Sequence, residues 1–294
     1  MDRRTRESGD VEVECYAVAY LDLLNQKDVL KKMARCLRDP SEKSEFKKLM
    51  QQSYGKVLCF RDVFEKTLSN HISAVKGDSN SLSAEQRSII ERLTNMDIRR
   101  QCFSDTIVYY ILLGDRADRV PIAGVWSLLV VSAAVFMSAL PRQLVFRGAI
   151  EAGLGMEFSR GDIYGPALSG AHALESHVAR YPRIAIGNTM REYLLSESRA
   201  TDPDGDFRQS TARECLSYIF EDQDGIWALD YLGQGMRRLL RSSGVDLEPI
   251  FKDAIEFAAG EAARFKNEGN EKLEKRYKKL RAYLEKCWRE SHAD

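Results

Sequence analysis

Asp22 and Asp105 are the residues whose type and setting point to chemistry. Asp22 closes the apolar run VAYL, and Asp105 lies in the turn-like segment FSDTIV. Two carboxylates delivered to neighbouring strand ends form an oxygen-ligand set for divalent cations. Mg²⁺ bound in this way commonly brings substrate phosphates with it. A pair of such ions lowers the pKa of an attacking hydroxyl and stabilises a phosphoryl transition state. The competing reading makes either Asp an ordinary turn or cap residue. No phosphate-binding glycine loop accompanies them. Gly153 and Gly155 stand as strand-end or turn glycines, and Gly161 and Gly165 tighten the passage into a helix. Phosphates would then be held by metal ions, basic side chains or a helix N-terminus. Arg147, which opens RGAIEAG, suits a structural ion pair or a triphosphate contact equally. Arg183, in YPRI, suits a phosphate contact or a surface role. His172 and His177 read as surface or packing residues.

Composition narrows the class. The 294 residues carry 44 Lys+Arg against 44 Asp+Glu, a formal net charge of +0. Broad electrostatic capture of nucleic acid needs a basic face, so no nucleic-acid partner is expected. A hydrophobic content of 44% with 30% charged residues excludes a disordered or collagen-like chain. The six cysteines form no Cys-x-x-Cys pair, which argues against zinc ribbons and favours reduced thiols in the cytosol. The N-terminal MDRRTRESGDVEVE has no apolar run, so no secretory signal is expected there.

The positioning elements follow from hydropathy patterning. Residues 11–24 start in alternation and become apolar, as a central strand does. Helices are expected over 27–38, 42–75 and from Ser83, with Leu49, Val57, Leu58, Phe64 and Leu68 as the buried stripe of the second. Residues 98–113 read as a hairpin turning at Phe103-Ser104-Asp105. An uncharged run follows over 120–140, long enough to cross a bilayer, and Pro141 ends it. Then come a strand in QLVFRGAIEAG, a loop or second strand over 154–160, and a turn at 161–165. A helix begins near Pro166, and PRIAIG at 182–187 reads as a strand. Residues 199–210 are polar and turn-rich, and 217–232 form a hairpin about Asp224-Gly225. The C-terminal part is helical. Leu273, Tyr277, Leu280, Leu284 and Cys287 form one apolar stripe there, for docking or for a short dimer coil.

On AYLDLL, FSDTIV, FRGAIEAG and DIYGPALSGAHALES, in that order, the sequence resembles the class III nucleotidyl cyclases. RGAIEAG, YGPAL, LES and YPRI make it most similar to the bacterial Pycsar pyrimidine cyclases of anti-phage defence. The resemblance covers roughly residues 11–235, the implied catalytic domain, with 247–294 as a C-terminal helical extension. It implies an α+β fold with a ferredoxin-like central antiparallel sheet flanked by helices. It implies conversion of UTP, or less favourably CTP, to the 3′,5′-cyclic monophosphate plus pyrophosphate. The product would act as a second messenger on a separate effector. Asp22, Asp105 and the Leu23 carbonyl would hold two Mg²⁺ or Mn²⁺ ions. Gln101 and Asp162 fall at base-reading positions, where Tyr164 would instead pack in the core. The family's composite sites imply a homodimer in the cytoplasm. The 120–140 run fits a helix packed on the sheet, since a membrane span would separate Asp105 from RGAIEAG. No stable membrane insertion is therefore expected.

The chain also departs from the family. Purine cyclases place Asn and Arg one turn apart on the helix after the turn, where this chain has Ser169 and Ala173. Asn25 stands where the first motif has Gly. These departures keep a purine cyclase and a catalytically inactive nucleotide-binding sensor as rival expectations.

Overall fold

The computed structural model describes residues 12–24, 42–76, 97–114, 120–159, 161–201 and 205–293, with 26, 30, 31 and 39. The helix expected over 27–38, apart from 30 and 31, which are helical, and the one expected from Ser83, with Asn25, lie outside the described residues. Strand β1 (Glu14–Leu23) is followed by helix α1 (Glu42–Lys76) and the β2 (Arg99–Phe103) and β3 (Thr106–Leu112) hairpin. Helix α2 (Pro121–Ala139) runs through a 3₁₀ turn (Leu140–Arg142) into β4 (Phe146–Ser159) and β5 (Asp162–Tyr164). Helix α3 (Pro166–Ala173) continues as a π turn (Leu174–Val178) before β6 (Ile184–Ile186), α4 (Asn188–Glu197) and α5 (Gly205–Ser217). The β7 (Ile219–Glu221) and β8 (Trp227–Leu229) hairpin leads to α6 (Gln234–Ser242), α7 (Glu248–Asn267) and α8 (Glu271–Ser291).

The sheet order is β2-β3-β1-β4-β6-β8-β7, with β5 paired to β4. Its pairs are antiparallel except β4 with β6. The fold is thus α+β, a central, mostly antiparallel sheet flanked by helices. β1 is central because its side chains are apolar on both faces. Ala17, Ala19, Leu21 and Leu23 enter the larger core with α1, α2 and the C-terminal helices. Tyr16 and Val18 enter a smaller core with Val108, Tyr110, Ala167 and Ala171. Period-two alternation therefore sends Asp22 to the face that carries α3.

Helix α2 has a mean hydropathy of 2.1 over Pro121–Arg142, and 83% of its most apolar stretch is buried inside the protein. Pro121 at its first turn suits the fixed proline φ. Gly124 lets it approach β3, because a Cβ there would meet Ile111 Cδ1 at 2.7 Å. Ser132 donates to Leu128 O at 2.7 Å and meets the Tyr109 hydroxyl, so the buried polar atoms are satisfied. Phe136, 1% exposed, stacks on Tyr231 and packs against Phe146. Replacing it with Ala would cost about 3–5 kcal/mol.

Several expectations need correction. β4 does not break at Leu154 but runs on to Ser159. The 161–165 turn contains β5. Residues 199–210 are not all turn, since α5 begins at Gly205. Leu58 is 46% exposed, so the α1 stripe runs instead through Phe60, Val63, Phe64 and Leu68. Tyr164 is 60% exposed beside Phe158 rather than in the core. In α8, Tyr277, Leu280, Leu284 and Cys287 are buried as the stripe requires, and Asn270 caps the helix by accepting from Leu273 N at 3.2 Å.

Candidate functional site

β1 ends and the β2–β3 hairpin turns at the same place. Asp22 pairs in register with Thr106 on one side and Arg147 on the other. Cross-strand partners project to one face, so these three side chains form a row. Asp22 Oδ1 accepts from Thr106 Oγ1 at 2.9 Å. Asp105 occupies the turn itself, and its carbonyl accepts from Leu23 N at 3.1 Å. The turn needs Ser104 at φ 52°, and Arg61 of α1 donates to the Ser104 carbonyl at 2.7 Å. A long helix thereby clamps the loop that carries the second carboxylate. Nothing in the local sequence marked Arg61, because the contact spans 43 positions.

Burial pushes Asp22 up from the usual carboxylate range to about 6; Glu175 and Asp105 add to this, while the Thr106 hydrogen bond and Arg147 oppose it. Burial likewise raises Tyr20 on the same face. Leu23 turns its side chain into the core, 3% exposed, so only its main-chain carbonyl is left as a ligand. Among the described residues no group of three or more His, Cys, Asp or Glu side chains is gathered for a metal. Two carboxylates nevertheless fit Mg²⁺, which keeps several waters and takes phosphate oxygens. The negative charge crowding Asp22 is what a divalent cation would relieve.

Arg147 Nη2 pairs with Glu175 Oε1 at 2.6 Å, with side-chain exposures of 12% and 3%. Its Nε is buried and without a hydrogen-bond partner. Arg183 lies on the same sheet face, one strand further on, since Gly148 pairs with Ile184. It is buried, not on the surface. Its guanidinium meets Asp222 at 2.8 Å, both Asp224 oxygens at 2.8 and 2.9 Å, and Val178 O at 2.9 Å.

Gln101 lies in β2 opposite Val108, at intermediate exposure. Asp162 opens β5 and is exposed. The β4–β5 tip bends back toward β2. A Cβ on Gly161 would sit 3.3 Å from Arg100 O, while Glu157 accepts from Tyr110 and pairs with Arg99. Gln101 and Asp162 thus belong to one edge, apart from the acidic end. Gly165, at φ 130°, passes so close to Gly155 that a Cβ would lie 2.9 Å from its Cα. Ser169 bonds Pro166 O at 3.2 Å on α3, and Ala173 is exposed at the end of that helix. His172 lies against Tyr20, with ring centroids 5.2 Å apart, and His177 contacts Ala173 O.

No family model matches the chain. No curated protein matches it. Among solved structures, the chain is similar to the crystal structure of the catalytic core of a rhodopsin-guanylyl cyclase with converted specificity, in complex with ATPαS. The identity is 10% and the TM-score 0.38, over 74% of this chain and 98% of that one. A likeness of that size assigns neither substrate nor activity.

Proposed function

We propose that the chain is a class III-type nucleotidyl cyclase. The observation that supports this reading is the convergence of Asp22 and Asp105 at the end of β1, with Arg147 in register beside them. The substrate is a nucleoside triphosphate, with UTP ahead of CTP. The ribose 3′-oxygen attacks the α-phosphorus, the bridging P–O bond to the β-phosphate breaks, and pyrophosphate leaves with that electron pair. The hydroxyl proton passes to solvent. Asp22, Asp105 and the Leu23 carbonyl would hold Mg²⁺ or Mn²⁺, two per site, whose charge would acidify the hydroxyl and stabilise the phosphoryl oxygens. Arg147 faces the triphosphate, and Gln101 with Asp162 reads the base, Gln101 offering both a donor and an acceptor. Arg183 has its guanidinium filled by carboxylates, so its part is to hold β6 beside β4.

The protein acts as a cytoplasmic homodimer with composite sites, and its cyclic product signals to a separate effector in anti-phage defence. It takes no nucleic-acid partner and inserts in no membrane, which the burial of α2 supports. Purified protein is assayed with ATP, GTP, CTP and UTP in Mn²⁺. The expected outcome is one cyclic pyrimidine nucleotide, and loss of turnover by at least about 1000-fold in Asp22→Ala and Asp105→Ala. Turnover of ATP or GTP alone would make it a purine cyclase. Binding without turnover of any of the four would favour an inactive sensor, the reading that Ser169 and Ala173 support.

A further inference from the structure

Strand β4 outruns its neighbour. Its pairing with β1 ends at Gly155, opposite Glu14. Beyond that point it pairs with β5, Met156 with Tyr164 and Glu157 with Ile163, and the register shifts between Glu157 and Ser159. A two-stranded ribbon on its own is marginal in water, so the β4–β5 tip needs fastening to the sheet. Ile163, 3% exposed, anchors it in the smaller core with Val108 and Tyr110. Apolar burial of that kind is non-directional and does not fix where the tip points.

The directional fastening comes from Glu157. Its Oε1 accepts from the Tyr110 hydroxyl of β3 at 2.6 Å and from Gly161 N of the tip at 2.9 Å. Its Oε2 pairs with Arg99 Nη1 of β2. The pair is largely out of water, with side-chain exposures of 14% for Glu157 and 24% for Arg99. Arg99 is steadied in turn by Asp97, which accepts from its Nε at 2.8 Å. Tyr110 is buried, and burial pushes its pKa up to about 12, so its hydroxyl keeps the proton it donates. Charge-assisted bonds in such surroundings are the strong and geometrically selective ones.

Both ends of this network adjoin the residues read above as contacting the base. Gln101 is two residues after Arg99 on β2, and period-two alternation puts both on one face. Asp162 follows Gly161 directly. Glu157 therefore bonds at once to the strand that carries Gln101 and to the turn that carries Asp162. The tip has little slack there, because a Cβ on Gly161 would lie 3.3 Å from Arg100 O.

We infer that Glu157 is a positioning residue for base selection, setting the separation of Gln101 and Asp162. This rests on the cyclase reading for its ligand. The Glu157 oxygens already hold three donors, so it acts on the base through those two residues.

The test compares nucleotides rather than single rates. kcat/KM is measured for ATP, GTP, CTP and UTP in the parent, Glu157→Ala and Glu157→Gln, beside hydrogen exchange at the Gly161 amide. The preference for the best triphosphate over the next is expected to fall about tenfold in Glu157→Ala, through KM, as a displaced contact would give. Exchange at Gly161 should quicken by about the same factor. Glu157→Gln keeps an acceptor for Tyr110 and Gly161 and should recover part of both. Ser132→Ala, which removes a buried hydrogen bond within α2, lowers stability alone and should leave the preference at the parent value. A merely structural Glu157 would slow every triphosphate alike, so a parent-like preference in both Glu157 variants would overturn the inference. A parent with no preference among the four would overturn it too. The cyclase reading is judged separately. If the parent binds the four with different affinities in calorimetry but cyclises none, that reading fails, and the ratio of dissociation constants decides the role of Glu157. Selective turnover that both variants retain leaves the cyclase reading standing and removes Glu157 from base selection.

Discussion

Arg147 and Arg183 are neighbours on one sheet face, the first half-buried and the second buried, and both are ion-paired, yet they differ in how fully they are used. Arg183 is 3% exposed and meets two aspartates and a carbonyl, and it lies 4.5 Å from the Tyr181 ring. Arg147 has one carboxylate, and the Nε of each arginine is buried without an acceptor. A guanidinium has five N–H donors, and Arg183 uses both Nη atoms on four acceptor oxygens, so it is the more fully used of the two. A well-paired buried arginine ties strands together. A less used one, beside Glu175 and in register with Asp22, has donors left for a ligand.

Removing Arg183 should give the largest effect on stability. Arg183→Ala takes from Asp222 and Asp224 the guanidinium that pairs with both and should cost about 3 kcal/mol in chemical denaturation. Activity per folded molecule should change little. A stable Arg183→Ala protein with a raised KM would break the contrast. Arg147→Ala combined with Glu175→Gln should show the opposite pattern. The double change leaves no unpaired buried charge, so the melting curve should stay near the parent while turnover falls about 100-fold. Equal turnover in parent and double variant would make Arg147 a second structural lock.

A third test uses the other face of the sheet, where no ligand is expected. Burial lowers His71 to about 4 beneath α2, where it meets Ser127 Oγ at 2.9 Å. The unfolded chain therefore binds a proton between pH 6.5 and 4 that the folded chain refuses. Stability is full above pH 6.5 and should fall by up to about 3 kcal/mol on acidification through that window. His71→Leu should flatten this slope, which urea titrations at several pH values would read. The smallest effect should come from Arg61→Ala. Loss of its bond to Ser104 O loosens the turn under Asp105, and turnover should fall roughly fivefold. Arg61→Lys should restore part of it.

The parts of the fold that were legible are those with one dominant signal. β1, the β2–β3 hairpin, α2 and the stripe of α8 follow from periodicity and apolarity that no neighbour overrides. Asp22 and Asp105 came with them, since each sits at the end of such an element. The continuation of β4 was hidden by Gly153 and Gly155, which look like punctuation. Those glycines in fact thin the strand: a Cβ on Gly153 would be 3.4 Å from Ala167 backbone, and Gly165 passes against Gly155. Helix α5 opens with GDFRQS, a polar start that only burial of Ala212 and Cys215 makes helical. Arg61 carries no local signature. It acts on the Ser104 carbonyl 43 positions away, and that distance is closed only by tertiary packing.

Helix α2 has a consequence for biosynthesis. Its uncharged face is covered by α1, by β3, by α5 and by the Phe146 and Tyr231 rings, and α5 and both rings lie downstream. A nascent chain at about 5–20 residues per second would therefore present this segment bare for on the order of 10 s. During that interval it has the length and hydropathy of a membrane-insertion signal. Packing of α5 and of the Phe146 and Tyr231 rings, once they are made, is what takes that surface out of water.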